Sequence, residues 1–228
     1  MIATNQDPPP GCTKSPQANA LVHGFKLRGG YMAVKTSEKT NYQNQYQKGV
    51  IPNYIGGRWV HASDSAGLPV TNPATGELLG KVPLSNRTDV GAAVAAAKQA
   101  FPAWRKTPAV ERARILFRLK ALLEEHASEI SVSLTQENGK TRTESRGEVQ
   151  RGIENVEHAC GIPTLMMGAT LEDIAPGLDC ETIRQPLGVF AAITPYNFPV
   201  MIPMWFWPYA VATGNTFVLK PSEQDPFT

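Results

Sequence analysis

The stretch Val189 to Glu223 constrains the fold of this chain more than any other. It opens with an apolar run, Val189 to Ile193, breaks at Thr194-Pro195, crosses a nearly continuous hydrophobic segment and closes with a second strand-like run, Thr216 to Leu219. That pattern reads as strand, crossover helix, strand. Short apolar strands joined through a helix belong to a parallel sheet covered on both faces, which makes the fold class α/β. In such sheets ligands bind outside the carboxyl ends of the strands. Thr194 to Asn197 and Lys220 to Glu223 lie at those two ends, so polar residues converge where a cofactor would sit.

Composition excludes several classes of function. A formal net charge of +2, with no basic block, gives no electrostatic basis for binding nucleic acid or an anionic membrane surface, and small-molecule chemistry is favoured instead. Cys12, Cys160 and Cys180 are few, odd in number and not arranged as CxxC, so neither a disulfide framework nor a metal site is expected. The N-terminus lacks both a secretory signal and an arginine-rich presequence, which points to the cytoplasm. Phe198 to Val218 is the one stretch apolar enough to ask about a membrane span. Pro199, Pro203 and Pro208 interrupt it, and its apolar runs fall short of the roughly 20 residues a span requires.

Residues 1–52 are rich in Pro, Gln, Asn, Lys and Gly without apolar periodicity and read as a flexible leader, with Met32 a candidate alternative start. Order is expected from Asn53. A hairpin is predicted around Gly56-Gly57, then a turn over Asn72 to Glu77 and a strand over Leu78 to Val82.

Four helices are expected next. The first is capped by Thr88-Asp89 and runs to about Phe101, with Val90, Val94, Ala97 and Phe101 on its inner face. The second starts with Thr107 as N-cap and Pro108 at its first position, and turns Leu116, Leu119 and Leu123 inward. The third covers about Ser128 to Glu137 and stops at Asn138-Gly139. The fourth, about Thr143 to Ala159, carries Val149, Ile153, Val156 and Cys160 along one stripe. Cys160 therefore reads as a small core residue; Cys180 has no nearby base or helix start to activate it. Strands over Ala169 to Ile174 and Glu181 to Gln185 then form a hairpin, either an assembly arm or a plain surface feature.

Thr194-Pro195-Tyr196-Asn197-Phe198-Pro199, followed at the matching interval by Gly214 to Glu223, resembles the paired signature of the NAD(P)-dependent aldehyde dehydrogenase superfamily. The resemblance runs from about Asn53 to Thr228 and includes the Glu137-Asn138-Gly139-Lys140 step. Within the superfamily, Ile183 to Val189, Trp205 to Pro208 and Gly147 to Glu154 are most similar to the CoA-acylating methylmalonate-semialdehyde dehydrogenases. Tyr196 stands where that subfamily usually has Phe, and Gln224 where it often has a basic residue.

The resemblance implies a fold: the N-terminal part of a Rossmann-like NAD-binding domain, with a helical layer and a projecting β-hairpin at about residues 169–185. It implies a reaction in which a cysteine thiolate attacks an aldehyde, hydride passes to NAD, and coenzyme A cleaves the thioester. It also implies roles. Asn197 would donate to the oxyanion. Thr194, Pro195, Tyr196, Lys220, Ser222, Glu223 and Gln224 would bind the cofactor, with Lys220 and Glu223 on the adenosine ribose. A carboxylate there accepts ribose hydroxyls and repels a 2′-phosphate, which favours NAD over NADP. Arg151 would hold the substrate carboxylate; from the residues alone, an ion pair with Glu148 or Glu154 explains it equally well. A homo-oligomer acting on a small aldehyde is implied for the complete enzyme.

No counterpart of the family's later glycine motif, base glutamate, catalytic cysteine or catalytic domain occurs before Thr228. Residues 53–228 are thus expected to be an incomplete NAD-binding domain, inactive alone. A piece of a non-acylating aldehyde dehydrogenase and a non-catalytic interaction module are the alternatives.

Overall fold

A computed structural model describes residues 24–27, 30–33, 49–64 and 66–228. The chain divides into two units, Met1–Gln45 and Tyr46–Thr228. In the first, β1 (Gly24–Leu27) and β2 (Gly30–Ala33) pair antiparallel, with Gly24 opposite Ala33. No regular element was expected there; most of the expected leader lies outside the described residues.

The second unit begins ahead of Asn53. Val50 bridges to Lys81, and the Ile51 amide donates to the Lys81 carbonyl at 2.9 Å. β3 (Asn53–Ile55) and β4 (Arg58–Val60) form the predicted hairpin, whose turn residues Gly56 and Gly57 take φ of 59° and 79°. β5 (Gly67–Thr71) pairs antiparallel with β6 (Leu78–Pro83) across the Asn72 turn. There the Asn72 side chain accepts from the Ala74 amide and the Asn72 carbonyl from the Gly76 amide.

The helical layer follows. α1 (Arg87–Trp104) is capped by Asn86, not by Thr88-Asp89: the Asn86 side chain accepts from the Thr88 amide, and Asp89 reaches back to the Asn86 amide to complete a capping box. Its predicted inner face is corrected as well. Val90 and Val94 are exposed, whereas Ala97 and Phe101 are half-buried as predicted and Ala93 and Ala96 join them, so small residues line the first turns of the inner face. That lets the helix approach the parallel strands: Thr216 Oγ1 donates to the Ala97 carbonyl at 2.9 Å.

α2 (Ala109–Glu125) has Pro108 rather than Thr107 as its N-cap and receives no side-chain cap. α3 (Ala127–Asn138) ends at Gly139, whose φ of 83° suits glycine; a Cβ there would lie 2.7 Å from Pro73 Cγ. α4 (Arg142–Cys160) starts with a capping box between Thr141 and Glu144 and buries Val149, Ile153, Val156 and Cys160 as the stripe predicted. These residues build two core clusters, one with Leu116 and Ala212 and the other with Leu134 and Val200.

After the short α5 (Ile162–Leu165), β7 (Ala169–Ala175) and β8 (Leu178–Thr182) form a hairpin with every residue exposed. β8 begins and ends earlier than expected because Pro176-Gly177 alone make the turn. A shift in register between Leu171 and Ala175 absorbs the extra residues of β7, with Asp173 at φ 51°.

β9 (Val189–Ile193), α6 (Met201–Ala212) and β10 (Thr216–Lys220) form the predicted strand–helix–strand unit. The strands pair in parallel, Val189 opposite Thr216 and Ile193 opposite Lys220. α1 and α6 both pack on this pair. The expected full cover of both faces is not present among the described residues, for Ile193 is 82% exposed.

Candidate active-site loops at the ends of β9 and β10

Parallel pairing sets the two polar loops side by side. The Thr194 amide donates to the Lys220 carbonyl at 3.1 Å, so the loop after β9 leaves the sheet next to the loop after β10. Thr194 is buried, and its Oγ1 has no hydrogen-bond partner among the described residues. Pro195, Tyr196 and Asn197 are exposed beyond it.

On the neighbouring loop, Lys220 Nζ and Glu223 Oε2 pair at 2.6 Å, with about half of each side chain exposed. The Lys220 ammonium holds the Glu223 carboxyl below its ordinary range. Ser222 is buried, and its hydroxyl accepts from the Gln224 amide at 3.1 Å, which shapes the turn; Gln224 is exposed.

Both loops are held from the α3–α4 junction. Asn138 Nδ2 donates to the Tyr196 carbonyl and to Asp225 Oδ2, each at 2.9 Å, and so bridges them. Lys140 Nζ donates to Glu148 Oε2 and to the Asn197 carbonyl, each at 2.5 Å, and stands 4.3 Å from the centroid of the Phe198 ring. The other oxygen of Glu148 accepts from the Val200 and Met201 amides at the start of α6, at 2.9 and 3.2 Å. Glu137 accepts from the Phe227 amide and the Thr228 hydroxyl, both at 2.7 Å, while burial pushes its carboxyl up to about 7. Burial also raises the Asp225 carboxyl, against the Asn138 hydrogen bond that lowers it.

The sequence assigns Asn138, Lys140 and Asp225 no role at these loops, and Glu148 only that of an ion-pair partner for Arg151. Glu148 left a signal that could have been used: it falls between Ser145 and Gly152 on the buried stripe of α4, where a carboxylate must find donors. Arg151, in contrast, is exposed on α4, and no hydrogen bond joins its guanidinium to either loop. Its supposed partner Glu148 is taken by Lys140 and α6.

The two described thiols lie on other elements. Cys160 lies in the core on α4, where burial pushes its pKa up, and Cys180 is exposed on β8. Among the described residues no group of three or more His, Cys, Asp or Glu could hold a metal ion, and no helix is long and apolar enough to cross a membrane.

Two loops, one with an exposed Asn between prolines and the other with an exposed Lys–Glu pair, lie at the carboxyl ends of adjacent parallel strands, the place where open α/β sheets take their ligands. Residues 59–228 match the profile of the aldehyde dehydrogenase family, and the chain belongs to that family. It is 58% identical over 176 residues to malonate-semialdehyde dehydrogenase 2 of Geobacillus thermodenitrificans, covering 77% of this chain and 36% of that protein. Against the acylating, mitochondrial methylmalonate-semialdehyde dehydrogenase of Arabidopsis thaliana, identity is 46% over 200 residues, or 88% of this chain and 32% of that one. Among solved structures, a Sinorhizobium meliloti protein complexed with NAD, provisionally described as a methylmalonate-semialdehyde dehydrogenase, superposes with a TM-score of 0.76 at 42% identity. That match covers 78% of this chain and 36% of the other. The chain thus spans about a third of the length of the curated relatives it matches.

Proposed function

We propose that this chain serves the NAD-dependent oxidation of a malonate- or methylmalonate-type semialdehyde to an acyl-coenzyme A. The observation that carries this reading is the adjacency of the Asn197 loop and the Lys220–Glu223 pair at the ends of β9 and β10, joined through Thr194 and Lys220.

The residues present fit the cofactor. An ammonium donor and a carboxylate acceptor, both accessible to solvent, match the two hydroxyls of a ribose, and the Glu223 charge disfavours a 2′-phosphate. Lys220 and Glu223 would hold that ribose. Thr194, Pro195, Tyr196 and Gln224 would line the same cleft, while Ser222 holds the turn that presents Glu223 and Gln224. When bound, NAD supplies the hydride acceptor.

Asn197 offers a neutral side-chain amide as a donor to the oxyanion formed when a thiolate adds to the aldehyde. Removal of one such donor costs about 10²–10³ in rate. Cys160, buried with its pKa raised, and Cys180, on the hairpin, do not suit the nucleophile's part. Coenzyme A is the acyl acceptor in this reading, and Arg151 takes the substrate carboxylate. The fully exposed β7–β8 hairpin serves assembly of a homo-oligomer, and the enzyme works in the cytoplasm.

The test is a graft. Residues 53–228 replace the matching segment of the Geobacillus thermodenitrificans relative, and NADH formation from malonate semialdehyde is followed with and without coenzyme A. Turnover that requires coenzyme A supports the proposal. Equal turnover without it identifies a non-acylating enzyme, and no turnover in a folded, NAD-binding graft rejects the reading.

A further inference from the structure

The loop that carries Asn197 has little means of fixing itself. Pro195 and Pro199 remove two amide donors from it, and the Asn197 side chain is exposed. Its backbone is gripped instead by side chains from the α3–α4 junction, more than fifty residues earlier in the chain.

An ammonium has three donors and no acceptor. Lys140 directs its charge to three partners: the Glu148 carboxylate, the Asn197 carbonyl and the face of Phe198. Glu148 has only 2% of its side chain exposed and is itself fixed by the Val200 and Met201 amides. The chain of contacts therefore runs from the first turn of α6, through a buried carboxylate and an ammonium, to the carbonyl of Asn197, whose side chain is exposed. Asn138, by comparison, grips Tyr196 and Asp225 and ties the two loops to each other.

We propose that Lys140, tethered by Glu148, is a positioning residue that sets the direction of the Asn197 side-chain amide toward the reacting oxygen. The proposal rests on the reading of Asn197 as oxyanion donor. Lys140 does not touch substrate or cofactor; it acts through the Asn197 backbone. Lys220 and Glu223 are held by their own pair and not by Lys140, so the brace bears on the donor loop and leaves the ribose-binding residues in place.

Two measurements test it. Lys140→Met alone leaves a buried carboxylate without its cation and can fail to fold, so the working variant is Lys140→Met combined with Glu148→Gln, whose amide oxygen still accepts from α6. In the chain itself, hydrogen exchange over residues 194–201 is expected to rise about tenfold or more, with exchange over residues 142–160 nearly unchanged. Unchanged exchange over 194–201 overturns the proposal.

In the graft, a donor displaced by about 1 Å can cost up to about 10² in rate. The double variant is therefore expected to lower kcat about tenfold or more and to leave KM for NAD within about twofold. Asn197→Ala supplies the decisive comparison: in that background, loss of Lys140 is expected to have no further effect on kcat. If Asn197→Ala lowers kcat but the Lys140 loss multiplies with it, the donor reading stands and this proposal falls. Full kcat in Asn197→Ala removes both.

Discussion

Arg112 on α2 closes the end of α6: its Nε donates to the Ala212 carbonyl at 2.7 Å. The guanidinium is buried, also donates to the Thr107 carbonyl and reaches Met166 Sδ at 3.6 Å, so it ties α2, α5 and α6 together at one point. A cation is favourably placed at a helix C-terminus, which offsets the burial that lowers its pKa. Arg112→Met should therefore orphan the buried Ala212 carbonyl and the part-buried Thr107 carbonyl and cost about 2–4 kcal/mol of stability, measured by urea unfolding of the chain. A loss below about 0.5 kcal/mol would show that the bonds carry little net energy.

Glu137 makes stability depend on pH. Its folded pKa of about 7 lies above the ordinary 4.5, so the folded state holds the proton more tightly. That contribution is fully present below about 4.5 and lost as pH rises through about 7, on the order of 3 kcal/mol in all. Asp225 is shifted the same way, whereas Glu144, Glu223 and Asp89 are shifted down and lose their contributions only at lower pH. Unfolding free energies of the chain at pH 5 and pH 8, set against those of Glu137→Gln, isolate the effect. The variant should show the flatter profile.

Asn138→Ala removes the only described side chain that bridges the two loops, and leaves Asp225 buried without its donor. A loss of about 1–3 kcal/mol is expected from that unmade bond. Because both loops are released, KM for NAD and kcat of the graft should worsen together, in contrast to the loss confined to kcat expected at Lys140.

Glu223→Gln should relax cofactor choice. If Glu223 faces the ribose as proposed, the substitution replaces a charge that repels a 2′-phosphate with a neutral amide, and the ratio of kcat/KM for NADP to that for NAD should rise about tenfold or more. An unchanged ratio would mean that Glu223 does not face the ribose.

The α/β class, the parallel pairing of β9 with β10 and the four-helix layer were legible in the sequence because each rests on local pattern. Apolar runs bounded by Pro and Gly mark the strands, and the Val149, Ile153, Val156 and Cys160 stripe marks α4. The errors fell where a competing local option existed. Asn86, Thr88 and Asp89 all form caps, and the reciprocal bond between Asn86 and Asp89 decided among them. On α1, valines gave the stronger apolar signal, yet the alanine face packs inward because close approach to β10 needs small side chains.

The sequence by itself determined which residues stand at the ends of β9 and β10, Asn197 in one loop and Lys220 and Glu223 in the other, because strand length and crossover direction follow from residue order. Only the tertiary structure decided how those loops are held. Asn138, Lys140 and Glu148 reach them across intervals of 52 to 87 residues, and no periodicity records which buried carboxylate will meet which amide. Such pairings arise because a buried charge must find partners wherever the packed helices bring donors within reach.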